Sequence, residues 1–354
     1  MPALIKIATA QPPHSVGQDL ARDFAKRLFG KHRGDIGRLL PVFGNSEIRS
    51  RQFCEPPEWF DLPHTFREKN EAFIRHAEAL ITRAIADVCR SSGVEPEELD
   101  HIFLVSTTGF ATPSLDARVL NTLPLPPTIL RTPVWGLGCA GGVAGLGRAH
   151  DWLLAYPDRL AVVVAVELCG LTFLHDDFSK SNFVATALFG DGCGAALLAG
   201  DRHPARTRGV LSIEATGSYT WPNTLDVMGW DLTDEGLKVI FSTSIPHLVA
   251  NGTRVPVSDF LSRNGLAIDE IGAFLSHPGG AKVIEAFEQA FNLSPAASAS
   301  MRAALRDHGN MSSATVYYVL DHFLRSDLPV SGLPFLSTAL GPGFSMEMVL
   351  GRCL

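Results

Sequence analysis

Residues 136–156 read GLGCAGGVAGLGRAHDWLLAY, and the apolar run AVVVAVEL follows at residues 161–168. The small residues of the first stretch permit a tight turn into a closely packed helix, while the second run has the composition of a fully buried strand. The same alternation precedes them, with the strand-like runs LIKIATA and HIFLVSTT on either side of a charged helical pattern from Arg67 to Ser91. Strands that alternate with helices predict a layered α/β fold.

The second half of the chain repeats this plan. IGAFLSHP, at residues 271–278, reads as a strand, and helical patterns cover residues 281–291 and 309–324. FGDGCGAALLAG and LGPGFSMEMVLG each lead from a Gly-x-Gly turn into an apolar strand, near the ends of the two halves. We therefore expect two pseudo-symmetric halves, residues 1–205 and residues 206–354. The proline-rich stretch LPLPPTILRTPV is expected to be a rigid loop rather than a hinge.

Composition limits the class of protein. The chain has 354 residues, of which 46% are hydrophobic, as expected of a well-packed globular enzyme. A net charge of −7 without a long basic run argues against a nucleic-acid partner. Six cysteines without a Cys-x-x-Cys pair predict neither a disulfide framework nor a metal site, and they favour a reducing, cytoplasmic location. The first apolar run is too short for a membrane span and lacks signal-peptide features, so no stable membrane insertion is expected.

Three short signatures carry candidate chemistry: GLGCAGG around Cys139, HPGG at His277, and GNMSS, which contains Asn310. Cys139 stands at an expected helix start, where unpaired amides lower a thiol pKa, and an imidazole such as His277 can stabilise the thiolate as an ion pair. Asn310 can donate a hydrogen bond to an oxyanion. Taken singly, such residues are more often a buried cysteine, a packing histidine and a helix cap. Together they suit attack on a thioester whose carbonyl becomes a tetrahedral or enolate oxyanion.

These motifs resemble those of the type III polyketide synthases, the chalcone-synthase-like branch of the thiolase superfamily. The resemblance covers nearly the whole chain and rests on GCAGG, EL-C-GLTF, ALFGDG, HPGG, GNMSSATV and GPGFSMEMVL. It implies a thiolase-like αβαβα fold in which Cys139 carries the growing acyl chain. It also implies that His277 and Asn310 promote malonyl decarboxylation, and that Phe189 is a gatekeeper between the active site and a coenzyme A tunnel.

The resemblance further implies acyl-CoA and malonyl-CoA as substrates, a homodimer, and no metal or redox cofactor. Arg49 and Lys282 are candidates for binding the coenzyme A phosphates, although such residues are more often solvated surface charges. Gly341, Pro342 and Gly343 match the family's cyclisation-pocket loop, and a tight turn before the last strand is the ordinary alternative.

Specificity is expected where the chain departs from the plant pattern. Cys169 stands where plant enzymes usually have threonine, Thr112 lies near the segment that reaches the neighbouring subunit, and Trp230 replaces a small residue. Cys169 is either a second acyl-binding thiol or, as we favour, a pocket-lining residue. TTGFATPSLDA and MGWDLTDEGL look more like bacterial enzymes that extend fatty acyl starters into alkylpyrones or alkylresorcinols.

Several alternatives stay open at this point. Similar bacterial enzymes build tetrahydroxynaphthalene from malonyl units alone, and the initiating ketoacyl synthase of fatty acid synthesis shares Cys, His and Asn but uses an acyl-carrier protein. A thiolase needs a second catalytic cysteine, and Cys353 lacks a glycine-rich catalytic loop. A papain-like protease needs an aromatic residue after its nucleophile, which Cys139 lacks. A catalytically inactive binding homologue would bind ligand without releasing carbon dioxide.

Overall fold

The computed structural model describes all 354 residues. The β-strands are β1 Ala3–Ala10, β2 His14–Gly17, β3 Ser50–Phe53, β4 His101–Val105, β5 Leu130–Val134, β6 Leu160–Leu168, β7 Asp191–Ala199, β8 Leu211–Thr220, β9 Met228–Thr233, β10 Gly236–Phe241, β11 Ala273–Phe274, β12 Pro334–Gly341 and β13 Ser345–Cys353. The α-helices are α1 Gln18–Phe29, α2 Ile36–Leu39, α3 Pro41–Asn45, α4 Phe66–Ser92, α5 Leu115–Val119, α6 Gly141–Ala155, α7 Lys180–Leu188, α8 Ile245–Gly252, α9 Arg254–Arg263, α10 Ala281–Phe291, α11 Ala299–His308 and α12 Thr315–Leu324.

Nine strands form one sheet in the order β11-β12-β13-β8-β1-β7-β6-β4-β5. The strands from the two halves of the chain meet where β1 lies beside β8, and only two residue pairs, Ala3 with Ser212 and Leu4 with Leu211, join them there. By contrast, β1 pairs with β7 along its whole length. The sheet therefore has two parts, one from each half of the chain, and the short pairing of β1 with β8 joins them.

The two parts of the sheet share one topology. In the first half β4 is parallel to β6, β6 is antiparallel to β7, and β7 is antiparallel to β1. In the second half β11, β12, β13 and β8 repeat the same order and the same directions. The expected pseudo-symmetry of the fold is thus confirmed. The division between residues 205 and 206 falls in the connection between β7 and β8, and that boundary stays a prediction.

Helices α6 and α12 form a central layer, and their small residues explain how closely it packs. A Cβ on Gly142 would lie 2.2 Å from the carbonyl oxygen of Ser313, and one on Gly145 would lie 2.7 Å from the side chain of Val163. Helix α4 packs on the outer face of the first part of the sheet, while α8, α9 and α10 share a hydrophobic core with β12 and β13. The result is the expected αβαβα layering. None of the helices has both the length and the hydropathy needed to cross a membrane.

Two local expectations need correction. The stretch LPLPPTILRTPV is not a loop throughout, because residues 130–134 form the edge strand β5, where Pro133 is tolerated since an edge strand has one unpaired side. IGAFLSHP contributes only the short strand Ala273–Phe274. Its backbone nevertheless continues to pair beyond that strand, since the His277 amide donates to the carbonyl of Thr338 at 2.8 Å.

Candidate active site

Cys139 lies in the 3-10 helix Gly138–Ala140, which leads directly into α6. Its side chain is buried, with the residue 9% exposed. Gly138 has a φ of +50°, and a Cβ there would lie 2.6 Å from Cδ of Pro342. A Cβ on Gly341 would lie 2.3 Å from the carbonyl oxygen of Leu137. The predicted cyclisation-pocket loop thus packs directly on the turn that carries Cys139, and glycine is required on both sides of that contact.

His277 is 4% exposed and lies beside β12. Neither of its ring nitrogens has a hydrogen-bond partner within the protein. Burial lowers the pKa of His277 to about 3, so the imidazole is neutral at physiological pH. A buried polar group without a partner is costly, and these nitrogens are therefore available to a ligand.

Asn310 is held in one orientation by its neighbours. Its side-chain Nδ2 donates to the carbonyl oxygen of Gly279 at 2.9 Å, in the HPGG loop that begins at His277, and its Oδ1 accepts from the amide of Ser312 at 2.8 Å. The Cys139 thiol in turn donates to Oγ of Ser312 at 3.4 Å. These contacts connect the loops that carry the three candidate catalytic side chains.

Burial shifts both members of the thiolate–imidazolium pair expected from the sequence towards their neutral forms. Burial raises the pKa of Cys139 to about 12, although the hydrogen bond to Ser312 opposes that shift. The Cys139 sulfur lies 3.4 Å from Oγ of Ser312. Burial thus favours the neutral thiol and the neutral imidazole in the free protein, and thiolate formation would require proton transfer from Cys139.

The reactivity of Cys139 towards iodoacetamide should reveal this neutral resting state. Only the thiolate is alkylated, and a thiol whose pKa lies far above the working pH ionises more as pH rises. We expect the alkylation rate of Cys139, followed by peptide mass spectrometry, to rise about tenfold per pH unit between about pH 6 and pH 9. A rate that is already constant across this range would show that an ion pair exists in the free enzyme.

Glu167, which sequence analysis cited only as the start of a motif, lies buried beneath the site. Its carboxylate accepts hydrogen bonds from the amide and hydroxyl of Thr107, from the hydroxyl of Thr108 at 2.8 Å and from the hydroxyl of Ser313 at 2.5 Å. Burial raises the pKa of Glu167, and these hydrogen bonds oppose the shift. The carboxylate thereby fixes Ser313, the residue next to the hydroxyl that contacts Cys139.

Replacing Glu167 by glutamine should destabilise the fold. An amide can accept at only one of its two terminal atoms, so at least one donor of this network would lose its partner. We expect the free energy of unfolding to fall by about 1–3 kcal/mol, measured by denaturant titration. Glu71→Gln, at an exposed position of α4, removes the same charge and is the matched control. Equal stability of the two variants would contradict a structural role for the network.

A largely apolar cavity of about 290 Å³ lies beside the site, but Cys139, His277 and Asn310 are not among its lining residues. Its inner end is lined by Cys169 and Phe189, and its outer part lies between α1 and residues 57–61. The lining also includes Val16, Leu20, Ala21, Phe24, Arg51, Phe53, Phe60, Phe173, Ala185 and Val239. Burial, together with the nearby charges of Glu167 and Asp191, raises the pKa of Cys169. Cys169 therefore contributes a buried thiol to the wall of the cavity.

A second groove, of about 410 Å³, is lined by three exposed basic side chains. Lys282, in the first turn of α10, lies in it together with Arg38 and Lys180, which sequence analysis missed. Arg49 is exposed and does not line this basic groove or the apolar cavity. Leu188 lines the basic groove and the next residue, Phe189, lines the apolar cavity. The end of α7, at Leu188 and Phe189, thus separates the two spaces, and the gatekeeper role of Phe189 stays a prediction.

The remaining specificity candidates occupy different places. Trp230 lies on β9 opposite Val239, and its ring meets Phe189 edge-on with 6.3 Å between centroids. Trp230 therefore packs against Phe189 and does not itself line the apolar cavity. Thr112 is exposed at the surface, near the exposed side chains of Phe110 and Trp135.

Comparison with known proteins identifies the family. A family profile described as "FAE1/Type III polyketide synthase-like protein" matches residues 41–216, and "Chalcone and stilbene synthases, C-terminal domain" matches residues 213–354. The chain belongs to the type III polyketide synthases. It is 42% identical to the Bacillus subtilis protein named "Putative chalcone synthase", over 99% of this chain and 98% of that protein.

Relatives of this synthase differ in the products that their names state. A 1,3,6,8-tetrahydroxynaphthalene synthase of Streptomyces peucetius is 36% identical, over 98% of this chain and 92% of that protein. The Mycobacterium tuberculosis "Alpha-pyrone synthesis polyketide synthase-like Pks18" is 28% identical, over 97% of this chain and 89% of that protein. The crystal structure of the Streptomyces coelicolor tetrahydroxynaphthalene synthase superposes with a TM-score of 0.94 at 26% identity, covering 99% of both chains.

The type III synthases are decarboxylating condensing acyltransferases that use coenzyme A thioesters. Their thiolase-type fold is the one described above, which confirms the expected fold class. Two family profiles that together cover most of the chain leave the carrier-protein synthase, thiolase and protease alternatives without support.

Proposed function

We propose that this synthase extends a fatty acyl starter, held on Cys139, with malonyl-CoA units and cyclises the product to a pyrone or resorcinol. The observation that supports it is the apolar cavity. Cys169 and Phe189 line it, and 11 of its 20 lining residues are hydrophobic, although the charged Arg27, Glu58 and Asp61 also line its outer part. Such a cavity suits an alkyl chain, because burial of each methylene contributes about 0.8 kcal/mol.

We assign different roles to Cys139, His277 and Asn310. The thiol proton of Cys139 passes to His277, the thiolate attacks the starter thioester, and the coenzyme A thiolate leaves. Malonyl-CoA then loses carbon dioxide, and the resulting enolate oxygen accepts hydrogen bonds from His277 and from the second N–H of Asn310. Such a donor contributes about 3–4 kcal/mol to the transition state. The enolate carbon attacks the Cys139 thioester and releases the β-ketoacyl product as a coenzyme A thioester, which can reload Cys139.

The basic groove is the proposed site for the coenzyme A phosphates. Lys282, Arg38 and Lys180 line it, and the Gly279–Gly280 segment connects it to the loop of His277. Phosphate binding by several cations suits an open groove, because exposed charges need little desolvation. Arg49 would take part only from outside this groove.

We propose a cytoplasmic homodimer that needs no metal or redox cofactor. Leu130, at the start of the edge strand β5, and Trp135, just after its end, expose large apolar side chains, and Trp135 packs against the exposed Phe110. An apolar surface beside an unpaired strand edge is typical of a self-association site. Analytical ultracentrifugation should give a dimer that Trp135→Asp weakens, and activity should survive chelation of metals.

A second candidate function is synthesis of tetrahydroxynaphthalene from malonyl-CoA alone. The 36% identity to a synthase with that activity in its name favours it. In that case the apolar cavity would accommodate a growing polyketide rather than an alkyl starter.

Product analysis distinguishes the two functions. Purified protein is incubated with isotopically labelled malonyl-CoA, alone and with acyl-CoA starters from acetyl to stearoyl, and the products are identified by mass spectrometry. Pyrones or resorcinols whose mass follows the starter support the main proposal. A labelled naphthalene from malonyl-CoA alone supports the second candidate. If no label enters any product, acyl thioesters of a carrier protein are tested next, and failure with these as well would argue for a non-condensing role.

A further inference from the structure

Arg51 is a buried cation that the proposed chemistry does not use. It is 1% exposed, and it lies in β3, two residues beyond the exposed Arg49. Its Nη1 donates to the carbonyl oxygens of Thr186 and Phe189, both at 2.7 Å. Burial lowers the pKa of Arg51 to about 10, so the guanidinium is still charged at neutral pH. A buried charge is costly unless its contacts are specific.

The two acceptors show what Arg51 holds. They lie at the carboxyl end of α7, where the last carbonyls of a helix lack partners within the helix and the helix dipole favours a cation. The carbonyl of Leu188, between them, accepts from the amide of Asn310 at 2.8 Å. The amide of Gly190 in turn donates to the carbonyl of Asn310 at 3.0 Å. The end of α7 is thus held by two distant segments, one with Arg51 and one with Asn310.

The stem of Arg51 also fills the space between these two segments. A Cβ on Gly309 would lie 2.7 Å from Cγ and Cδ of Arg51, and a Cβ on Gly190 would lie 3.2 Å from its Cβ. The guanidinium carbon lies 5.4 Å from the ring centroid of Phe53, which lines the apolar cavity. Arg51 therefore contacts both the segment of Phe189 and the segment of Asn310, and neither can shift without moving against it.

We propose that Arg51 is a positioning residue that holds Phe189 and Asn310 in fixed positions relative to each other. It thereby couples the position of Phe189, the proposed gate between the apolar cavity and the basic groove, to malonyl decarboxylation. This inference rests on the proposed roles of Phe189 and Asn310. Arg51 itself touches no reacting atom. It acts through two backbone carbonyls and through the packing of its stem against Gly190 and Gly309.

Decarboxylation of malonyl-CoA to acetyl-CoA in a Cys139→Ala background tests this inference, since that reaction needs Asn310 but no acyl transfer. Arg51→Met keeps the length of the side chain and removes its donors. We expect kcat for decarboxylation to fall about 10- to 100-fold, because small misplacements of a catalytic group cost up to about 100-fold. Arg51→Lys keeps a charged donor and should recover part of the rate.

Lys69→Met is the matched control. Lys69 is another buried cation, and its ammonium donates to the backbone carbonyls of Phe173 and Glu235 rather than to the end of α7. Its loss should lower the melting temperature and leave decarboxylation unchanged. If the loss of any buried cation slows the enzyme, decarboxylation will fall as much in Lys69→Met as in Arg51→Met. That result would overturn the inference.

Three further outcomes are decisive. A folded Arg51→Met protein that decarboxylates at the parental rate overturns the proposal. If Arg51→Met does not fold, the rate of Arg51→Lys is used instead. An ammonium cannot fully replace a guanidinium that donates to two acceptors, so the proposal expects a slower decarboxylation. An unchanged decarboxylation rate in Arg51→Lys again overturns the proposal. If the Cys139→Ala parent itself releases no carbon dioxide, the proposed role of Asn310 is wrong, and the inference about Arg51 is wrong with it. That result differs from a normal decarboxylation rate in Arg51→Met, which contradicts only the inference about Arg51.

Discussion

Replacing Cys139 by alanine should abolish chain extension while malonyl-CoA decarboxylation stays measurable. The thiol is the only group placed to hold the acyl chain, whereas the enolate is stabilised by His277 and Asn310, which the substitution leaves in place. We expect product formation to fall by at least about 10³-fold, as for other enzymes that lose their nucleophile. Labelled malonyl-CoA, with acetyl-CoA and polyketide products separated by chromatography, gives both rates in one experiment.

Asn310→Ala is the companion variant. It removes the donor for the enolate and also the contact with Gly279, so both decarboxylation and extension should fall. Ser312→Ala serves as a control for the hydrogen bond of the thiol, because it keeps the nucleophile itself. Full polyketide synthesis by the Cys139→Ala protein would show that another residue carries the chain.

Replacing Ala21 by tryptophan should exclude long starters and spare short ones. Ala21 is a buried residue of α1 that lines the apolar cavity. A large indole there would fill space needed by the distal end of an alkyl chain, and overpacking typically costs about 1–3 kcal/mol. We expect kcat/KM for palmitoyl-CoA to fall about 10- to 100-fold. The value for butyryl-CoA should stay unchanged in the same assay.

The control for this variant is Lys26→Trp, which places the same indole on an exposed position of the same helix. It should leave both starters unaffected. If Ala21→Trp accepts palmitoyl-CoA as well as the unchanged protein does, the alkyl chain lies elsewhere. Synthesis of tetrahydroxynaphthalene from malonyl-CoA then becomes the better explanation of the cavity.

Features set by neighbouring residues could be predicted from the sequence. Helix α4 begins and ends within one residue of the expected limits, because Thr65 and Glu68 form a capping box and Gly93 ends the helix in a left-handed conformation. The loops of Cys139, His277 and Asn310 also meet as expected. The motifs follow the same elements in the two pseudo-symmetric halves, so the fold brings them to one place.

Features that depend on distant partners could not be predicted. Strand β5 contains Pro133 and reads locally as a loop, and only its pairing with β4 makes it a strand. Arg49 and Arg51 lie two residues apart, and nothing local distinguishes the exposed side chain from the buried one. Arg38 and Lys180 lie on separate helices, without a pattern that joins them into one groove. The neutral state of the Cys139–His277 pair follows from burial, which composition does not report.

The position of β1 in the sheet has a consequence for synthesis on the ribosome. β1 is the first strand made, yet it lies between β7 and β8, and α6 packs against β12 and β13 as well as against its own half. A nascent chain released only as far as β7 would expose the apolar face of α6, with no second half to cover it. Such intermediates aggregate readily. Yield should therefore be sensitive to translation pauses after β7 and to chaperone supply, even for variants whose finished fold is as stable as the original.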